Sequence, residues 1–137
     1  MPTSPTLAIQ TAIYGVLNGD STLTSTLGAG VYDEVPEDAS YPYVVVGEAY
    51  ETPDNAHDRY GRDTMVTIHT WSEQDGFKEA LTVGNRVVEL LDHTSLTITG
   101  WHHVATRYEF SQTLRDPNPN LRHVATRFRV VTEETVA

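Results

Sequence analysis

The stretch His103–Val130, HVATRYEFSQTLRDPNPNLRHVATRFRV, decides the reading of the fold. Val104, Thr106, Tyr108, Phe110 and Leu114 fall on alternating positions, and Val124, Thr126, Phe128 and Val130 do the same further on. A period of two is that of a β-strand. Asp116-Pro117-Asn118-Pro119-Asn120 between them is dense in turn residues. The spacing therefore predicts a long β-hairpin. Centring its turn on Asn118 sets Tyr108 opposite Phe128 and Glu109 opposite Arg127. One face is then aromatic and aliphatic, and the other holds Arg107, Arg115, Arg127 and Arg129. A slip of one residue would exchange those faces, so the register is a specific expectation. His103–Tyr108 and His123–Phe128 are near-duplicates, which reads as two strands in similar environments rather than a repeat array.

Upstream, Ser4-Pro5 offers a helix cap followed by proline at the first helical position. Ile9, Ala12, Ile13, Val16 and Leu17 then recur with helical spacing up to Gly19. Asp20-Ser21 is a second cap, before a short turn with Leu23 and Leu27. Val31–Val35 and Tyr41–Ala49 read as strands, with Pro36 and Pro42 near strand ends. The polar stretch Glu51–Arg62 predicts a long surface loop or the mobile tip of a hairpin. Residues 64–71 alternate again as a strand. Phe77, Ala80, Leu81, Gly84, Val87, Val88 and Leu91 form the clearest helical stripe, and Leu96–Thr99 a weak strand. Gly84 on that stripe costs about 1 kcal/mol of helix propensity against alanine, which predicts close packing on a sheet. Helix, strands, helix, strands is the order of one α+β domain with an antiparallel or mixed sheet on two main helices, and residues 134–137 read as a flexible tail.

The chain has 137 residues, the size of one domain, with 39% apolar and 20% charged side chains. No apolar run approaches the ~18 residues of a spanning helix, and the N-terminus lacks the pattern of a secretion signal, so no membrane partner is expected. The absence of cysteine excludes disulfides, thiol nucleophiles and thiolate metal sites. Net charge is −10, which disfavours duplex binding by counterion release. The charge is uneven. Residues 1–62 hold nine acids against two arginines, net −7, whereas residues 101–137 hold four acids against five arginines, net +1. One end of the chain is suited to attract the other end of a neighbour.

Catalytic patterns are missing. The six histidines include no pair at the spacing of a helical zinc site, and the acids Glu51, Asp54, Asp58 and Asp63 do not follow a calcium-loop pattern. There is no G-x-S-x-G elbow, dinucleotide fingerprint or Walker lysine. Asp33-Glu34 and Glu37-Asp38 sit in turn-like polar sequence rather than in a recognisable acid–base context. No enzyme, cofactor or metal is expected. The arginine face has two readings: exposed pairs worth ~0–1 kcal/mol, or a stripe that docks an acidic protein surface. Trp71 and Trp101 read as core or edge packing rather than as interface anchors.

Val31-Tyr32-Asp33-Glu34-Val35-Pro36, Tyr41-Pro42-Tyr43-Val44-Val45-Val46-Gly47-Glu48 and Thr67-Ile68-His69-Thr70-Trp71-Ser72 follow one another at characteristic intervals. Leu114-Arg115-Asp116 and Arg122-His123, leading to Arg127-Phe128-Arg129, complete a pattern over residues 9 to 133. This resembles the tail-completion, or tail-terminator and head–tail joining, family of long-tailed bacteriophages. It departs at the hairpin tip, where Pro117-Asn118-Pro119-Asn120 replaces a glycine-containing turn. The resemblance implies a non-catalytic virion protein at the head-proximal end of the tail, assembled in the host cytoplasm. It implies a ring, commonly of six copies, that ends the tail tube and meets the head connector or stopper, with DNA passing through unread. Under it, Arg107, Arg115, Arg127 and Arg129 would face Asp33 and Glu34 of the next subunit. Excess acid would line the channel, and the segment carrying Glu51, Asp54, Asp58, Arg59 and Arg62 would contact the tail tube. The alternative is a small cytoplasmic α+β domain that binds a ligand or a metal.

Overall fold

Tyr43–Pro53 (β2) and Gly61–Ser72 (β3) alternate buried and accessible positions over most of their length, and they pair as an antiparallel hairpin. The computed structural model describes residues 3–135. Trp101–Arg115 (β4) and Arg122–Glu134 (β5) form the second hairpin. The two hairpins join through β3 and β5 over an unbroken register from Gly61↔Glu133 to Ser72↔Arg122. A short strand, Gly30–Tyr32 (β1), adds in parallel to β2, giving one mixed five-stranded sheet in the order β1-β2-β3-β5-β4. This is the α+β domain expected from the order of elements.

The two helices, Thr6–Asn18 (α1) and Lys78–Leu91 (α2), pack on the same face of that sheet. Ile9, Ile13 and Leu17 of α1 and Val83, Val87 and Leu91 of α2 share one core cluster with Val44, Val46, Val66, Ile68, Phe128 and Val130. These sheet residues alternate along their strands, so the helix face is apolar by pattern. Removing a side chain such as Phe128 from water is worth roughly 1.5–3 kcal/mol. A π-helical turn, Thr22–Thr26, follows α1 and buries Leu23. Asp20 accepts the Leu23 N–H at 2.9 Å and grips Arg86 of α2 with both carboxylate oxygens, at 2.9 and 2.8 Å. The arginine holds the Asp20 carboxyl below the usual carboxylate range and is itself pushed up by it.

Several boundaries differ from the sequence reading, each for a local reason. Thr6 opens α1, after Pro5 at the cap position, and Ser4 accepts the Thr6 N–H at 3.2 Å. The strand expected over Val31–Val35 ends at Tyr32, where pairing with β2 stops. Leu96 and Ile98 are buried in the core, but Leu96–Thr99 forms no strand, because its apolar side chains plug the core without a ladder partner. The stretch Glu51–Arg62 is mostly hairpin. Glu51–Pro53 extend β2, Gly61 and Arg62 begin β3, and residues 54–60 make the turn, closed by an Ala56↔Arg59 bridge. At the other end Glu134 pairs with Trp101 as part of β5, and residues 136–137 lie outside the described ones. Among the described residues no helix is long and apolar enough to cross a membrane.

The β4–β5 register contains the most consequential difference. Tyr108 does lie opposite Phe128, with their rings edge-on at 6.2 Å. Glu109, however, has no partner: a bulge there sets Phe110, not Glu109, opposite Arg127. A second bulge falls at Val104. Each bulge inserts one residue and reverses the alternation beyond it.

Candidate assembly surfaces

With both helices on one side, no element among the described residues covers the second face of the sheet. Reading across β2, β3, β5 and β4, its rows are Tyr43, Trp71, His123 and Leu114, then Val45, His69, Ala125 and Gln112. Further rows hold Thr67, Arg127 and Phe110, and then Tyr50, Met65, Arg129 and Arg107. Three of the four expected arginines thus share this open face. Arg115 does not. The bulge at Glu109 turns it to the helix side, where it pairs with Arg122 beside Phe77.

The three arginines are in different states. Arg129 is held by Asp63, which accepts its Nε at 2.9 and 2.8 Å and lies 2.5 Å from its terminal nitrogen. The carboxylate raises the Arg129 pKa. Arg127 lies over the Phe110 ring at 4.7 Å, a cation–π contact, and its buried Nε has no hydrogen-bond partner. Arg107 donates to the Thr106 carbonyl at 3.0 Å. Among the described residues, neither Arg107 nor Arg127 forms an ion pair. They are two of four arginines, with Arg115 and Arg122, that form no ion pair among the described residues. Asp33 and Glu34 sit exposed just beyond β1, at the opposite edge of the sheet, and are also outside any ion pair among the described residues.

The β2–β3 tip is tied down by its own charges. Glu51 accepts the Thr6 hydroxyl at 2.5 Å and the Ser4 hydroxyl, and lies 3.4 Å from Arg62. Arg62 also stands 5.7 Å from the Trp101 ring centre and donates to Asn55. Arg59 bridges to Glu133 of β5 at 3.0 Å and lies 3.7 Å from Asp58. Asp54 donates its N–H to the Gly61 carbonyl at 2.9 Å, and Asp54 and Asp58 are exposed.

A polar cluster on the open face was not singled out by the sequence. His69 Nε2 donates to Glu48 at 2.5 Å, and His69 Nδ1 lies 2.6 Å from His123 Nε2. The His123 ring stacks on Trp71 at 3.9 Å. One proton is shared between the facing nitrogens, so only one of the two rings can be protonated without setting two N–H groups against each other. Burial first, and then His69, push the His123 pKa down, while His69 holds the Glu48 carboxyl below its usual range. The cluster forms because Gly47 and Glu48 bulge out of β2, and a Cβ at Gly47 would stand 2.5 Å from the His69 ring. Alternation places His69 and Trp71 on one face, but the pairing of β3 with β5 is needed to bring in His123. Nearby, Tyr41 stacks on Tyr43 at 4.9 Å, and burial pushes the Tyr43 hydroxyl up to about 12. Among the described residues no three histidine or carboxylate side chains converge as metal ligands.

The sequence profile of the family described as "Tail completion protein gp17" matches residues 11–133 of this chain. The chain belongs to this family of phage tail completion proteins. Within the family, it is 29% identical over 87 residues to the tail completion protein gp17 of Bacillus phage SPP1. That alignment covers 64% of this chain and 64% of the relative's length. The solved SPP1 gp17 protein superposes with a TM-score of 0.60 at 25% identity, over 90% of this chain and 88% of the other. A chain in the virion of a native gene transfer agent particle superposes with a TM-score of 0.88 over 96% of this chain and 99% of its own. At 22% identity that likeness concerns the fold.

Proposed function

We propose that this tail completion protein acts as a structural subunit, without catalysis, in a ring of its own copies that ends the tail tube and joins it to the head connector, DNA passing through unread. The observation that carries the reading is the separation of unpaired charge. Arg107 and Arg127 lie toward the β4 edge of the sheet, and Asp33 and Glu34 lie beyond β1 at the other. A patch on one edge that matches a different patch on the opposite edge makes heterologous contacts, which close into a ring when the rotation allows. Family membership and the likeness to a gene transfer agent virion chain support a place in the particle. Of the arginines, we take Arg107 and Arg127 for this contact, because Arg129 is occupied by Asp63 and Arg115 faces the helices. The exposed Asp54 and Asp58 at the β2–β3 tip are the residues offered to the tail tube, with Arg59; Glu51 and Arg62 brace the tip from within.

Electron microscopy of particles assembled with and without the chain tests this. Tubes of irregular, excessive length in its absence are expected. Tubes of normal length, joined to heads, would overturn the reading. Arg127→Glu is expected to weaken assembly while the purified variant keeps its circular dichroism spectrum.

A further inference from the structure

The outer edge of β4 is closed along one half and open along the other. His93 donates its N–H to the Thr106 carbonyl at 2.9 Å, and Asp92 accepts the Tyr108 N–H at 2.8 Å. The turn after α2 thus occupies the edge as far as Tyr108, where the bulge at Glu109 begins. Past the bulge, Ser111, Gln112 and Thr113 are exposed, although Thr126, Ala125 and Val124 opposite them in β5 are buried. The direction of the backbone groups follows from the pairing. Glu134 donates its N–H to the Tyr60 carbonyl, so even-numbered residues of β5 address β3 and odd-numbered ones address β4. His123 and Ala125 therefore take up the peptide groups of Leu114 and Gln112, which leaves those of Ser111 and Thr113 pointing outward. Among the described residues no strand pairs with them.

Exposed edges are normally blunted by charge, proline, a bulge or a cover. The first half of β4 has two bulges and the Asp92–His93 cover, whereas Phe110–Leu114 has neither charge nor proline. Instead, Glu109-Phe110-Ser111-Gln112-Thr113-Leu114-Arg115 is its own antiparallel complement. Turned about Gln112, it sets Phe110 against Leu114 on the open face and Ser111 against Thr113 on the helix face, where the Ser111 hydroxyl already meets Thr126. Glu109 and Arg115 are outside any ion pair among the described residues, and this arrangement brings them to the two ends with unlike charges together. A parallel approach would bring like charges together. The length fits as well. β4 ends at Arg115 and the chain turns away at Asp116-Pro117, so a second strand stops short of the Asp92–His93 cover. We propose that the distal half of β4, Glu109–Arg115, pairs antiparallel with the same segment of a second copy, about a two-fold axis at Gln112. The contact is isologous and saturates at two copies, so it is distinct from the ring joint and does not rest on the ring reading.

In this register the two Gln112 residues face each other as a pair without mutual hydrogen bonds, their Cα atoms about 4.5 Å apart and within disulfide range. The chain has no cysteine, so the full chain carrying Gln112→Cys is expected to oxidise to a covalent dimer. Ser111→Cys or Thr113→Cys alone is expected to stay uncrosslinked, since the equivalent Cα atoms lie beyond the ~7 Å limit. Sedimentation of the unmodified chain is expected to show a monomer–dimer equilibrium with a dissociation constant below about 1 mM. Thr113→Pro removes an outward N–H but no bond to β5, and is expected to weaken dimerisation at least about tenfold while the circular dichroism spectrum is kept. An unmodified chain that stays monomeric at about 1 mM overturns the proposal. So does a dimer that persists in folded Thr113→Pro, or a Ser111→Cys chain that crosslinks as fast as Gln112→Cys, because the joint then lies elsewhere. Tail length with and without the chain remains the separate test of the ring reading.

Discussion

His123 illustrates how one side chain couples the open face to stability. Its ring is held neutral by burial and by the neighbouring His69. A histidine whose folded pKa is depressed contributes stability above its unfolded value, about 6.5, and that contribution is lost as pH falls. His103, depressed by burial beside Thr106, acts in the same direction. Urea unfolding at pH 7.5 and 5.5 is therefore expected to show a less stable protein at the lower pH, and His123→Gln a smaller difference. An unchanged difference in the variant would refute this role for His123. Two glycines should respond in opposite senses. A Cβ at Gly84 would meet Val124 at 3.7 Å, ordinary contact, so Gly84→Ala should raise stability by roughly 0.5–1 kcal/mol through helix propensity. Gly84 is buried where α2 packs on β5, as its place on the stripe led one to expect, with room left for a methyl group. A Cβ at Gly47 meets both the His69 ring and, at 2.8 Å, the Thr67 carbonyl, so Gly47→Ala should destabilise by about 1–3 kcal/mol. Melting temperatures of the two variants check both signs.

At the level of elements, the alternation at Val124, Thr126, Phe128 and Val130 was enough to place β5's inner face, and all four are buried. Phe128 lies at the centre of the core, and Phe128→Ala should cost about 3–5 kcal/mol by chemical denaturation. The stripe from Ala80 to Leu91 likewise gave α2, because a single amphipathic helix is encoded within its own residues. The bulges at Glu109 and Val104 were not legible. A bulge depends on how two strands settle against each other, and alternation in either strand alone carries no trace of it. For the same reason the stripe of four arginines became three, and Arg115 crossed to the helix side. β1 was read as a strand from Val31, but its end at Tyr32 and its parallel place beside β2 were not legible, since both depend on the pairing with β2. The long polar segment 51–62 concealed two strand ends, because Glu51 and Arg62 satisfy each other and polar strand residues resemble loop.

For the molecule as a whole, the charge asymmetry visible in composition becomes spatial in part: the unpaired Asp33 and Glu34 lie beyond β1, and the unpaired Arg107 and Arg127 lie toward β4, where Glu109 is unpaired too. Chain order suggested two ends, but only the sheet order β1-β2-β3-β5-β4 puts them on opposite edges. The Glu48–His69–His123 cluster escaped because it joins residues brought together by the central seam. That seam has a further consequence. Each hairpin can form from neighbouring sequence, whereas β3 must wait for β5, whose residues follow it by some fifty positions or more. Docking the two hairpins closes the longest loops, which makes this the slow step of folding. Any chain halted before Arg122 is left with a long bare strand, Gly61–Ser72, whose backbone donors and acceptors solicit another chain. Interrupted synthesis of this protein should therefore yield aggregates rather than soluble fragments.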